Sequence, residues 1–157
     1  MDGAHTLARC AEVTERALYF VFDALRTQRV LLEGMILKPN MVVPGLKCPV
    51  QDSVDDVADA TIRVFRRSVP AAVGGIAFLS GGQSAPDASA RLNAMHVRHK
   101  DSLPWPLAFS FARAIQDPAM KAWAGKQENV TAAQKALVER ARLNRLARLG
   151  EYLPAMG

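Results

Sequence analysis

Three short apolar runs in this sequence end in residues that could act on a phosphorylated carbonyl compound. The run Val30 to Lys38 ends in a lysine, and Pro39 follows it. The residue before a proline is pushed to extended geometry, so Lys38 is expected at the last position of a strand. An amine held in an apolar mouth loses solvation of its charged form and becomes available as a nucleophile. The run Gly75 to Ser80 leads into Gly81-Gly82-Gln83-Ser84. A Ser-Gly-Gly turn before a helix exposes backbone N–H groups that suit a phosphate. The run Leu107 to Phe111 is followed by Arg113. A guanidinium there can grip the same phosphate with a two-pronged fork. Each feature also has an ordinary reading: a solvated lysine, a plain turn and a helix-surface charge.

Other candidates carry less. His96 and His99 lie three apart, which can suit a metal on a helix. No third ligand is evident and Arg98 and Lys100 crowd the pair with charge, so no metal is expected. Glu33 is the carboxylate nearest to Lys38 in sequence, but strand alternation over five residues sets it on the opposite face. Lys135, Arg140, Arg142, Arg145 and Arg148 make the last helix basic. Such a helix can dock on nucleic acid, which gives an alternative reading of the chain as a non-catalytic binding or structural module. Leu137, Ala141, Leu143, Leu146 and Ala147 supply packing positions there, so a solvated outer helix is the better reading.

The elements that would position these residues alternate along the chain. Leu7, Cys10, Ala11, Thr14, Leu18, Val21, Phe22 and Leu25 recur at helical steps and predict a helix over Thr6 to Thr27. A loop over Pro39 to Val50 follows the Lys38 strand. A capping box at Ser53-Val54-Asp55-Asp56 opens a second helix that ends near Val69-Pro70. Ser84, with Pro86 in the first turn, opens a third. Asp117-Pro118 opens a short helix that stops near Gly125. Thr131-Ala132-Ala133-Gln134 opens a long one that ends at Gly150, and the tail from Glu151 is expected to be loose. Continuous apolar strands between amphipathic helices imply a parallel sheet covered by helices, an α/β fold. Reactive groups in such folds gather at the carboxyl ends of the strands, where all three candidates lie.

Length and composition set the outer bounds. The chain has 157 residues, half of them hydrophobic, enough for one domain with a real core. The formal net charge of +5 favours anionic partners without choosing among them. Two well-separated cysteines, Cys10 and Cys48, do not make a disulfide framework, so a reducing cytoplasm is the expected compartment. No apolar run approaches the roughly 18 residues of a membrane span, and the first residues lack an apolar signal core.

Four segments carry a resemblance. Leu31-Leu32-Glu33-Gly34-Met35-Ile36-Leu37-Lys38-Pro39-Asn40-Met41-Val42 is very similar to the Schiff-base segment of class I fructose-bisphosphate aldolases. Phe78-Leu79-Ser80-Gly81-Gly82-Gln83-Ser84 matches a second family segment, and Phe109-Ser110-Phe111-Ala112-Arg113-Ala114 resembles a third. Lys121-Ala122-Trp123-Ala124-Gly125-Lys126-Gln127-Glu128-Asn129 resembles a fourth, and all four stand in the family's order. The likeness runs from about Cys10 to Tyr152.

The resemblance implies a glycolytic lyase in which Lys38 forms an imine with the substrate ketone. It implies that Ser80, Gly81 and Gly82 hold a substrate phosphate, with Ser110 and Arg113 as further phosphate and sugar contacts. No metal or cofactor is implied, because the imine is the electron sink. The implied partners are a phosphorylated sugar and further copies of the chain or a missing amino-terminal half. No membrane is implied, and nucleic acid is not expected. The family fold is the eight-stranded (β/α)8 TIM barrel, which takes about 250 residues. This chain is expected to be a partial barrel, about the last three strands with their helices. It reads as one domain over 1–157, aldolase-like over 8–150, with a tail at 151–157. It begins just after the expected fifth strand, and the family's acid/base groups lie on earlier strands. Ala112 departs from the family's usual glycine.

Overall fold

A computed structural model describes residues 2–156. Thr6 accepts a hydrogen bond from the Arg9 N–H and starts helix α1 (Leu7–Thr27). Leu18 and Phe22 are its buried positions, while Val21 of the same apolar stripe is exposed. The chain then departs from the expected strand over 30–38. A 3-10 turn occupies Leu32–Gly34, and strand β1 is only Ile36–Leu37. Gly34 and Met35 turn their N–H groups back to Leu31 and Leu32, which takes them out of any ladder. Lys38 therefore stands one residue past the strand. Glu33 lies in the 3-10 turn, so the alternation that set it opposite Lys38 does not apply to it.

The loop over 39–50 has no regular structure, yet Met41, Val42 and Val43 are buried. The Thr61 hydroxyl ties it down by accepting the Val42 N–H at 2.9 Å and donating to Val57 O at 2.7 Å. Gly45 meets the backbone of Gly3 so closely that a Cβ would have no room there. Helix α2 (Val54–Ser68) opens with the expected capping box between Ser53 and Asp56. Its inner face, including Val57, Ile62, Val64 and Phe65, is buried.

Strand β2 (Gly75–Phe78) leads through the glycine turn to helix α3 (Ala85–His99), capped by Ser84. Strand β3 is Leu107–Phe109, two residues shorter than expected. Helix α4 (Arg113–Trp123) begins four residues before the expected start and holds Pro118 inside it. The Ala112 carbonyl, accepting from Ile115 and Gln116, starts this helix ahead of the proline. Helix α5 (Val130–Leu149) starts directly from a 3-10 turn at Gln127–Asn129, not from the Thr131 box. Gly150, with φ of 75°, ends it as expected. The tail is not loose at Tyr152, which is buried and whose N–H donates to Asn93 Oδ1 at 2.9 Å. Gly157 of the tail lies outside the described residues.

The three strands form one parallel sheet in the order β1-β2-β3. Ile36 pairs with Gly75 and Leu37 with Ile76; Ile76, Ala77 and Phe78 pair with Leu107, Ala108 and Phe109. Because partners in parallel register share a face, Ile76, Phe78 and Leu107 enter the core together. Helices α2 and α3 pack on each other, and the core lies between these helices and that face. Ile36 is on the other face and is 62% exposed. The fold is α/β, a small parallel sheet covered by helices, as expected.

Candidate functional site

The parallel register carries all three candidate groups to one end of the sheet. Beyond the assigned strands the ladder continues: the Leu79 N–H donates to Pro39 O at 3.0 Å, and the Ser110 N–H to Phe78 O at 2.8 Å. Lys38 therefore enters the same end as the turn after β2 and the Ser110 segment after β3. Strand alternation sets Lys38 on the face of Ile36, opposite the buried core face. Ala77 and Ala108, at the next positions of that face, are small and half-buried, which leaves space beside the lysine.

Lys38 is exposed, not desolvated. This differs from the expected apolar mouth: Lys38 shares its face with Ile36, which is exposed as well.

The turn after β2 is built for backbone contacts. Gly81 and Gly82 have φ of 58° and 77°, a region open to glycine and strained for other residues. The Gln83 N–H closes the turn on Ser80 O at 3.0 Å. Ser80 is buried, whereas Gly81 and Gly82 are half-buried and line a cavity of about 300 Å³ with Gln83, Asp87 and Arg91. After β3, Ser110 is half-buried and Arg113 is exposed at the first position of α4. The leading N–H groups of a helix lack partners within it, so an arginine there adds a side-chain fork to backbone donors. Ala112 has a negative φ of −96°, outside the left-handed region that calls for glycine.

Sequence reading did not single out Thr61 or Arg91, and took Arg140 only as one charge of the basic last helix. Thr61 fixes the loop that follows Lys38. Arg91 and Arg140 bond to residues just beyond the glycine turn: the Arg91 Nη1 donates to Gln83 Oε1 at 2.8 Å, and the Arg140 Nη2 to Ala85 O at 2.8 Å. No local pattern marks such contacts, because they join residues far apart in sequence or point inward from an outwardly basic helix. The basic helix itself is divided. Arg140 is buried and Arg142 is held by Glu139 at 2.6 and 2.8 Å, whereas Lys135, Arg145 and Arg148 are exposed. The two histidines also diverge: the His96 Nε2 is buried, while the His99 Nε2 lies 2.7 Å from Asp59 Oδ1.

The parallel sheet and its helices, with a lysine, a glycine turn and an arginine at the carboxyl ends of the strands, define an α/β protein. Comparison with known proteins makes the class specific. The family model for fructose-bisphosphate aldolase class-I matches residues 1–157, and the chain belongs to that family. It is 51% identical over 152 residues to fructose-bisphosphate aldolase B of Gallus gallus, and 47% identical over 152 residues to the fructose-bisphosphate aldolase of Dictyostelium discoideum. Each alignment takes in 97% of this chain and 42% of the relative. A solved structure of the Plasmodium falciparum aldolase, in complex with TRAP and a small-molecule inhibitor, superposes with a TM-score of 0.92 at 45% identity. That match covers 97% of this chain and 43% of the other. The chain thus spans about two fifths of the length of the relatives it matches.

Proposed function

We propose that this chain supplies the imine-forming part of a class I fructose-bisphosphate aldolase, with its three strands forming part of a (β/α)8 barrel. One observation carries the reading. The parallel register leads Lys38, the Gly81-Gly82 turn and the Ser110–Arg113 segment to the same end of one sheet. Family membership and four motifs in order support it.

In this reading the Lys38 Nζ adds to the ketone carbon of a phosphorylated sugar. The carbonyl oxygen leaves as water, and an iminium remains. Its positive nitrogen draws in the electrons of the bond between the next two carbons; that bond breaks in the bisphosphate substrate, leaving an enamine, while the hydroxyl on the far carbon gives its proton to a base from the rest of the barrel and becomes an aldehyde. Ser80, Gly81 and Gly82 hold a phosphate through hydroxyl and backbone donors, and Ser110 and Arg113 add further contacts. The imine takes the role of electron sink, so the scheme calls for no metal. The free edges of the sheet are closed by the rest of a barrel or by another copy of the chain. Relatives named as cytoplasmic isozymes in Pisum sativum and Cicer arietinum support a cytoplasmic location. Among the described residues no helix is long and apolar enough to cross a membrane.

Borohydride trapping with dihydroxyacetone phosphate, followed by mass mapping, tests the reading. Label is expected on Lys38, and none in a Lys38→Met variant. A folded chain that takes no label, or takes it equally after the substitution, would remove Lys38 from the mechanism.

A further inference from the structure

Arg140 is a buried cation whose placement asks for a reason. It is 7% exposed, and its Nε has no hydrogen-bond partner. The adjacent Glu139 is held by Arg142 instead. A guanidinium buried with incomplete pairing is a poor device for stability alone. Its Nη2 reaches from α5 to the first turn of α3, donating to Ala85 O at 2.8 Å and to Ser89 Oγ at 2.7 Å. Ser89 in turn donates to Asn144 Oδ1 at 2.8 Å, and the Asn144 Nδ2 returns to Arg140 O at 2.9 Å. This closed network fixes α5 to the start of α3. From the body of α3, Arg91 reaches back eight residues and holds Gln83 Oε1 at 2.8 Å.

Both contacts fall within three residues of Gly82. The Gly81-Gly82 turn has no side chains of its own to hold it, and glycine carries the largest backbone freedom of any residue. An anion site made of peptide N–H groups works only if those groups are already aimed before the ligand arrives. The bracing must therefore come from outside the turn.

We infer that Arg140 and Arg91 are positioning residues that together hold the Ser80–Gly82 turn in its anion-binding conformation. The inference deepens the aldolase reading and rests on it for the identity of the ligand. Neither residue is required to touch the ligand. Both act by fixing the segment that joins the turn to α3.

The test compares borohydride trapping with dihydroxyacetone phosphate and with dihydroxyacetone, which differ only in the phosphate. The ratio of the two rates measures what the turn contributes. Arg91→Met and Arg140→Lys are each expected to lower that ratio about tenfold, the scale of one lost hydrogen-bond contribution. The lysine keeps the charge of Arg140 and loses its planar reach to two oxygens. Equal losses with both ketones, or an unchanged ratio, would reduce the two arginines to general structural support. Hydrogen exchange of the Gln83 amide, read without ligand, gives an independent measure. Faster exchange in both variants, at unchanged protection of the α5 amides, is expected; unchanged Gln83 protection overturns the bracing. A parent chain that traps neither ketone would overturn the imine reading, and the exchange result would still decide the role of the arginines.

Discussion

Strands β2 and β1 lie side by side in one sheet under different constraints. β2 has a partner on each side, and its Ile76 and Phe78 are buried. The Phe78 ring stacks on Phe65 of α2, with centroids 5.8 Å apart and planes 13° from parallel. β1 is a two-residue strand with one partner, and its Ile36 is 62% exposed. Lys38 follows β1 and not β2. Stability and the proposed chemistry therefore sit in different places. The covered face of β2 holds the fold together, whereas the lysine follows a short, exposed edge strand.

The largest expected effect tests this division directly. Phe78→Ala deletes a fully buried ring and its stacking contact with Phe65, and is expected to cost about 3–5 kcal/mol in urea unfolding. Ile36→Ala removes side-chain atoms that are mostly in water already, and is expected to cost less than about 1 kcal/mol. Comparable losses at the two positions would erase the contrast between the strands. A middle-sized effect is expected where the two regions meet. Thr61 on α2 is the acceptor for the Val42 N–H in the loop after Lys38. Thr61→Val keeps the shape and strands that buried N–H, at about 1–3 kcal/mol. Circular dichroism melts would show the loss; a variant as stable as the parent would mean that the loop is held without this bond.

How far the sequence revealed this arrangement depended on whether a feature was local. The helix starts at Thr6, Ser53 and Ser84 were legible because a cap is a contact across three residues. The strand-end lysine and the Ser-Gly-Gly turn were legible for the same reason. The length of β1 was not, because the apolar run from Val30 to Leu37 has the composition of a strand while its middle folds into a 3-10 turn. α4 was missed at its start because Pro118 reads as a helix opener, although Ala112 had already begun the helix. The burial of Met41 to Val43 and of Arg140 depends on contacts made 19 and 55 residues away. Exposure of Lys38 was unreadable for a different reason: it depends on what covers the sheet, which no residue near Lys38 encodes.

The smallest expected effect lies on the outer surface of the stable side. Arg98 on α3 reaches α2, donating from Nε and Nη2 to Asp59 at 2.9 and 2.6 Å and from Nη1 to Asp55 at 2.9 Å. These bonds, aided by His99, hold the Asp59 carboxyl at about 2, below its ordinary 3.8. A carboxyl with a lowered folded-state value binds fewer protons folded than unfolded between those two values. Its stabilisation is therefore complete above about pH 4 and is lost as pH falls through about 2. Both side chains are 38% exposed, so water screens the pair and its contribution is small. Asp59→Asn is expected to lower the urea midpoint slightly at pH 7 and to match the parent below about pH 2. A gap that stays constant across that range would trace the effect to side-chain shape instead of charge. The α2–α3 contact would then rest on its buried apolar faces alone, which would sharpen the contrast between the covered and uncovered sides of the sheet.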